Sequence, residues 1–360
     1  MSEGSQSYVS WFSDLTLADR PSVGGKSASL GELTRAGVTV PPGFVVTTGA
    51  FEDFLRDSDI ARDIRREIAA LDPQDTSHVA DVSERIRQRI RNARVPKIIE
   101  ETIAVNYRNL SQNGTGCAVA VRSSATCEDS ETASFAGLQD TYLWVRGEEQ
   151  LLDRVRACWA SMYNDESIVY RRRLDLPEDQ ISMGVVVQQM VDAVCAGVMF
   201  TRSPTTGDKS VIVIEGSWGL GSSIVSGEVT PDRFVVNKVT GEIVKRDIST
   251  KTVEHIADPS GSGVLEQAIT DERQDTPCLT DESIRQLWQI ARMVEQHYSS
   301  PQDIEWAICH DQETMDQTVY LLQSRPETVW AGKQKQSAAK PAAKPFDHIV
   351  NLLSARKNQS

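Results

Sequence analysis

VAVRSSATCEDSETASFAGLQD, residues 119–140, is the stretch from which the fold is read. Val119 and Val121 flank the small Ala120, as in a buried strand. Arg122 ends the apolar part, and Ser123, Ser124, Ala125 and Thr126 follow with little hydrophobic surface to bury. Acidic and then small residues come next, as far as Gly137. A hydroxyl-rich loop rooted on a buried strand by an arginine suits an anion with several oxygens. Hydroxyls and backbone N–H groups donate, and the guanidinium adds a forked cation. Taken alone, the stretch equally fits a solvated loop with a surface arginine.

Upstream, Val23-Gly24-Gly25-Lys26-Ser27 leads into a helical pattern with Ala28, Leu30, Leu33 and Ala36 on one side and Gly37 at its end. A glycine turn feeding a helix N-terminus is an anion site in outline. The Walker A spacing fails, because Arg20 stands where the first glycine would be. Lys26 is therefore a candidate phosphate lysine of another kind, or a surface lysine in a first turn. Val38–Thr48 reads as extended, broken at Pro41-Pro42-Gly43. Helical periodicity covers 50–71, 79–94, the segment through Ile99, Ile103 and Tyr107, and 148–173. Thr141–Val145 reads as a strand.

Near Met183 the texture changes. MGVVVQQMV (183–191), AVCAGVMFT (193–201) and VIVIE (211–215) read as apolar strands, and a glycine-rich run spans Gly216–Gly227. Asp232–Asn237 and Glu242–Asp247 form a hairpin about Thr240-Gly241. Residues 252–280 are polar and read as irregular. A helix over 281–298 and strands at Asp303–Ala307 and Val319–Ser324 close the globule. Residues 331–360 begin with AGKQKQSAAKPAAKP, a linker composition.

The 360 residues carry a formal charge of −13, which argues against a nucleic-acid binder. Six cysteines are scattered without a CxxC pair, as for free thiols in a reducing cytoplasm. The N-terminus shows no basic region followed by an apolar core, and no apolar run approaches a membrane span. A cytoplasmic protein is expected.

Asp303 and Glu305 lie two apart on one strand, and Gln323 and Arg325 two apart on the next. If these strands pair, two carboxylates, an amide oxygen and a guanidinium share one face. Oxygen ligands suit Mg²⁺, and the arginine suits phosphates. A solvent-facing salt-bridge cluster is the alternative. Gln188, Gln189, Met190 and Val191 could offer backbone groups to a base edge with methionine against its ring, or be a plain core strand. Glu215 could accept from ribose hydroxyls, or simply end its strand.

GGKSASLGEL, VPPGFVVTT, the 119–143 stretch, GVVVQQMV, GVMFTRSPTTGD, EGSWGLGSSIVSGEVTPDRFVV, DIEWA and LLQSRPET occur in this order. Together they resemble the N-terminal nucleotide-binding domain of the phosphoenolpyruvate synthase and pyruvate phosphate dikinase family, over about residues 10–330. The resemblance implies an α+β chain of ATP-grasp fold. Two subdomains, 1–187 and 188–330, would hold ATP between them, and 331–360 would be linker and tail. It implies that Lys26, Arg122 and Arg325 contact phosphates as the catalytic cations, with Ser123, Ser124 and Thr126 in a loop closing over the triphosphate. Gln188, Gln189, Met190 and Val191 would line the adenine pocket, and Glu215 would meet the ribose. Glu305 and Gln323 would hold Mg²⁺, with Asp303 beside them.

Members of the family continue into a histidine-bearing swivelling domain and an acceptor region. His78, His255, His297, His310 and His348 lack the Gly-rich setting of that histidine. The resemblance thus implies a partner subunit that carries the phosphohistidine and the acceptor site. The assembled phosphotransferase would cleave ATP to AMP and phosphate. Among relatives the chain looks most like the smaller ATP-binding subunit of phenylphosphate synthase, which implies phenol as acceptor. The rival expectations are a split phosphoenolpyruvate synthase, a split rifampicin-type phosphotransferase, and a subunit that senses nucleotide without turnover.

Overall fold

The computed structural model describes residues 7–111, 116–126, 140–173, 177, 181–310 and 317–330. The chain divides into a unit Met1–Pro326 and a remainder Glu327–Ser360, and the elements below all belong to the first. In chain order these are β1 (Val9–Trp11), α1 (Arg20–Val23), α2 (Gly25–Arg35), β2 (Gly43–Val46), α3 (Thr48–Asp57), α4 (Ile60–Ala69), α5 (Thr76–Asn92) and α6 (Lys97–Leu110). β3 (Val119–Ala125), β4 (Thr141–Val145), α7 (Glu148–Ser161), α8 (Asp165–Arg173), β5 (Met183–Gln189), β6 (Cys195–Phe200) and β7 (Val211–Trp218) follow. The last are α9 (Ser222–Val225), β8 (Asp232–Asn237), β9 (Ile243–Asp247), β10 (Val253–Ala257), β11 (Val264–Ala268), α10 (Asp271–Gln274), α11 (Asp281–Tyr298), β12 (Gln302–His310) and β13 (Gln317–Pro326).

Two antiparallel sheets organise them. The first has the order β1-β2-β5-β3-β4 and the second β13-β12-β6-β7-β8-β9, with β10–β11 a separate hairpin. Period-2 alternation assigns each face. On the first sheet Phe44, Val46, Val185 and Val187 join one core with residues of α3–α8, including Phe54 and Trp159. Val45 and Val186 face the other way and pack with Phe12, Val23, Ala28 and Leu30. On the second sheet Met199, Ile214, Phe234 and Ile304 pack with Leu287, Ala291 and Val294 of α11. The opposite face of that sheet carries its polar residues. The expected boundary at 187/188 runs through β5, which belongs wholly to the first sheet.

α2 links the two sheets. Ala28 and Leu30 pack on the first, while Leu33 joins the core of the second. Ser29 Oγ donates to the Ser324 carbonyl of β13 at 2.7 Å, and the Leu321 N–H donates to Thr39 O at 2.9 Å. The N-terminus of α2 is set against β3: Gly24 has φ +80° and ψ 170°, and the Ser27 N–H donates to Ser124 Oγ at 3.2 Å. A Cβ on Gly24 would lie 2.0 Å from Ser124 O. That backbone region is nearly confined to glycine, and a clash with main chain finds no flexible neighbour to yield. Gly24→Ala is expected to destabilise the unit by about 2–4 kcal/mol. Urea unfolding checks this, and a loss below about 0.5 kcal/mol would show the contact to be loose.

Three expectations change. The helix over 50–71 is two helices, broken at Asp59 with φ +57°. The helix over 148–173 is also two, α7 and α8. Residues 252–280 are not irregular: they hold the β10–β11 hairpin and α10. The hairpin about Thr240-Gly241 and the glycine after α2 form as read, with φ +76° at Gly241 and +77° at Gly37. Most of the expected phosphate loop, residues 127–139, and the expected linker, 331–360, lie outside the described residues. Among the described residues no helix is long and apolar enough to cross a membrane.

Candidate functional site

The polar face of the second sheet is assembled by register. Glu305 lies opposite Gln323 on one side and Val198 on the other, and Val198 lies opposite Glu215, which faces Arg233. Directly opposed residues point to the same face, so Gln323, Glu305, Glu215 and Arg233 form one row. Asp303 and Arg325 form a second pair two residues along, with Arg325 Nε 3.5 Å from Asp303 Oδ2. A bulge after Glu305 interrupts the ladder beside the row. Glu215 and Arg233 lie 3.6 Å apart, and Arg233 Nη2 donates to Thr205 Oγ1 at 3.4 Å.

The first sheet contributes Arg122. It pairs with Val186 on β5, so it lies on the same side as α2. Its Nη2 donates to Glu305 Oε2 at 2.8 Å and to Gln323 Oε1 at 2.7 Å. Its Nη1 donates to Leu322 O at 3.2 Å, while its buried Nε has no hydrogen-bond partner among the described residues. Lys26, the second residue of α2, donates from Nζ to Ser123 O at 3.0 Å. Burial pulls the Glu305 carboxyl upward, but the charge and hydrogen bond of Arg122, with Lys26 and Arg325, outweigh it. Glu305 is therefore held below the ordinary carboxylate range and stays ionised at neutral pH. Three cations against Asp303 and Glu305 leave one net positive charge here, although the whole chain carries −13.

The hydroxyls beside Arg122 are engaged within the protein. Ser123 Oγ donates to Asp140 O at 3.3 Å, and Thr126 Oγ1 to Ser182 O at 3.2 Å. Ser124 Oγ occupies the end of α2, where the sequence suggested an anion. Gln188 is buried, with its amide 3.4 Å from Pro41 O. The N–H groups of Gln189 and Met190 go to Pro42 O and Ala118 O, each at 2.9 Å, so neither is available to a base. Val191 follows β5, partly exposed. The Met190 side chain packs against a small apolar cluster of Ala118, Trp144 and Leu220. Trp144 and Leu220 come from β4 and the glycine-rich run, and nothing in their sequence settings marked them. Arg233 was missed too, although its place in a hairpin strand beside β7 makes it the natural partner of Glu215.

Glu305 and Gln323 present two oxygens to one guanidinium nitrogen, and both belong to residues directly opposed across a strand pair. An ionised carboxylate beside an amide oxygen is a donor set that fits Mg²⁺. Thiol chemistry has no such footing. The five described cysteines are free, and burial pushes the Cys195 thiol up to about 12. A depression of about 790 Å³ lined by residues of α5 and the start of α6 shares no residue with the site.

A strand-borne arginine and a helix-borne lysine thus meet the polar face of an antiparallel sheet, in an α+β chain of ATP-grasp fold. The chain belongs to the pyruvate phosphate dikinase AMP/ATP-binding domain family, which matches residues 20–345. It is 39% identical over 373 residues to a probable phosphoenolpyruvate synthase of Staphylothermus marinus, covering 97% of this chain and 45% of that protein. A probable phosphoenolpyruvate synthase of Methanothermobacter thermautotrophicus is 41% identical over 335 residues, covering 92% of this chain and 48% of the relative. The phosphoenolpyruvate synthase of Aeropyrum pernix is 39% identical over 365 residues, covering 92% and 44%. The chain spans about half the length of the curated relatives it matches.

Proposed function

We propose that this chain is the ATP-binding part of a dikinase-type phosphotransferase of the phosphoenolpyruvate synthase kind. The observation that carries the reading is Arg122 bonded to both Glu305 and Gln323 on a face that also holds Asp303, Arg325 and Glu215. That its relatives are named phosphoenolpyruvate synthases favours pyruvate as acceptor over the phenol implied by the sequence resemblance. In this reading Lys26, Arg122 and Arg325 bind the triphosphate. Met190, with Trp144 and Leu220 behind it, packs on the base, and Glu215, held by Arg233, accepts from the ribose. Glu305 and Gln323 hold Mg²⁺, which when bound neutralises phosphate charge and orients the chain of phosphates. No covalent residue of this chain is needed, because phosphoryl transfer asks mainly for positioning and charge stabilisation.

The phosphate-accepting histidine and the acceptor site lie outside residues 1–360. That histidine takes a pyrophosphoryl group from ATP, releasing AMP. Hydrolysis by one water then releases inorganic phosphate and leaves the phosphohistidine that serves the acceptor. The test is product analysis of the chain together with the histidine-bearing region, ATP, Mg²⁺ and pyruvate. AMP and phosphoenolpyruvate in equal amounts are expected. ADP as the nucleotide product would overturn the dikinase reading, and phenyl phosphate formed from phenol in preference to phosphoenolpyruvate would restore the other acceptor.

A further inference from the structure

Outside the nucleotide face, the β10–β11 hairpin gathers a second set of donors. His255 on β10 lies directly opposite Glu266 on β11, so both side chains leave the same face. Glu228 reaches them from the segment after α9. One ligand atom from each of Glu228, His255 and Glu266 lies within 4.8 Å of the others. His255 Nε2 is 2.7 Å from Glu228 Oε2. Its Nδ1 is 2.7 Å from Ser222 Oγ on α9. The backbone is held as well: Leu220 N–H donates to His255 O at 2.8 Å, and Glu228 N–H to Ser223 O at 3.2 Å.

We propose that Glu228, His255 and Glu266 form a Zn²⁺ site. With Nδ1 protonated and donating to Ser222, Nε2 presents its lone pair to the glutamates. Such an outer hydrogen bond fixes the tautomer and ring direction of metal-binding histidines. One imidazole and two carboxylates make three protein ligands, with a fourth position left for water. Zn–N and Zn–O lengths of about 2.0–2.2 Å place tetrahedral ligand atoms about 3.3–3.5 Å apart. The donors lie within 4.8 Å of one another, so a modest rotation of the two exposed glutamates is what metal binding requires. Mg²⁺ is a poor match, because it prefers an octahedron of oxygens, whereas imidazole suits zinc. The ion also resolves the repulsion between two neighbouring carboxylates. It ties the hairpin to the glycine-rich run, where Gly219 bridges His255 and Leu220 packs in the cluster that Met190 touches.

The full chain, stripped with a chelator, is titrated with Zn²⁺ alone by calorimetry, without nucleotide. One Zn²⁺ per chain is expected at micromolar or lower Kd. His255→Gln and Glu266→Gln should each weaken it at least tenfold, and Ser222→Ala by a smaller factor. Glu305→Gln, in the nucleotide site, should leave it unchanged. Glu266 is exposed, so its variant keeps the fold, and a thermal melt of each variant checks this. Absence of micromolar binding would overturn the site and leave a plain His255–Glu228 ion pair. Equal affinity in the wild-type, His255→Gln and Glu266→Gln chains would overturn it too.

Discussion

Arg122→Ala is expected to lower ATP cleavage by the proposed phosphotransferase by about 10²–10³-fold, the loss that follows removal of one preorganised charge-stabilising donor. The side chain is nearly buried and its fork is already divided among Glu305, Gln323 and Leu322 O. A guanidinium held this way has less entropy to lose on meeting phosphate oxygens than a free surface arginine. The substitution also strips a donor from two side-chain oxygens and one carbonyl, so a stability loss of about 1–3 kcal/mol accompanies it. Arg122→Lys separates the two effects. It keeps the charge but not the planar fork, so part of the stability should return while turnover stays well below wild type. AMP release measured alongside urea unfolding reads both. Turnover within threefold of wild type in Arg122→Ala would remove the arginine from the phosphate site.

Glu305→Gln is expected to weaken Mg²⁺-ATP binding about tenfold or more, read by titration calorimetry, because the carboxylate is the only charged member of the proposed ligand pair. The same residue gives a pH signature. Its folded carboxyl lies below the ordinary value of 4.5 because Arg122, Lys26 and Arg325 outweigh the cost of burial. A carboxyl depressed in the folded state contributes stability above its unfolded pKa and loses it as pH falls through the folded one. The stability difference between wild type and Glu305→Gln should therefore be flat above about pH 5 and shrink in acid. A difference that grows as pH falls would mean the carboxyl is raised rather than depressed. Unchanged affinity in the variant would count against a metal ligand there.

How far these residues could be read beforehand differs by kind. That Asp303, Glu305, Gln323 and Arg325 share one face follows from spacings of two once their strands pair; which residue faces which is set by the register. The approach of Lys26 to Ser123 does not, since 97 positions separate them and only the packing of α2 on β3 joins them. The three-way bond of Arg122 bridges still longer separations. The β10–β11 hairpin escaped because β11, Val-Leu-Glu-Gln-Ala, is largely exposed and shows no apolar–polar alternation. The break at Asp59 escaped because the apolar stripe continues across it from Phe54 to Ile64 while the backbone turns left-handed. The adenine side was read from the strand pattern and the family resemblance, and the N–H groups of Gln189 and Met190 are committed to Pro42 and Ala118. The apolar patch formed by Trp144, Leu220 and Met190 depends on three distant segments.

The most direct test of the account is a crystal structure of the chain with Mg²⁺ and a non-hydrolysable ATP analogue. The account predicts triphosphate oxygens against Lys26, Arg122 and Arg325, the metal on Glu305 and Gln323, and the base over Met190. An analogue seated instead in the depression lined by Ser58, Arg89 and Val95, with the polar face of the second sheet untouched, would contradict it.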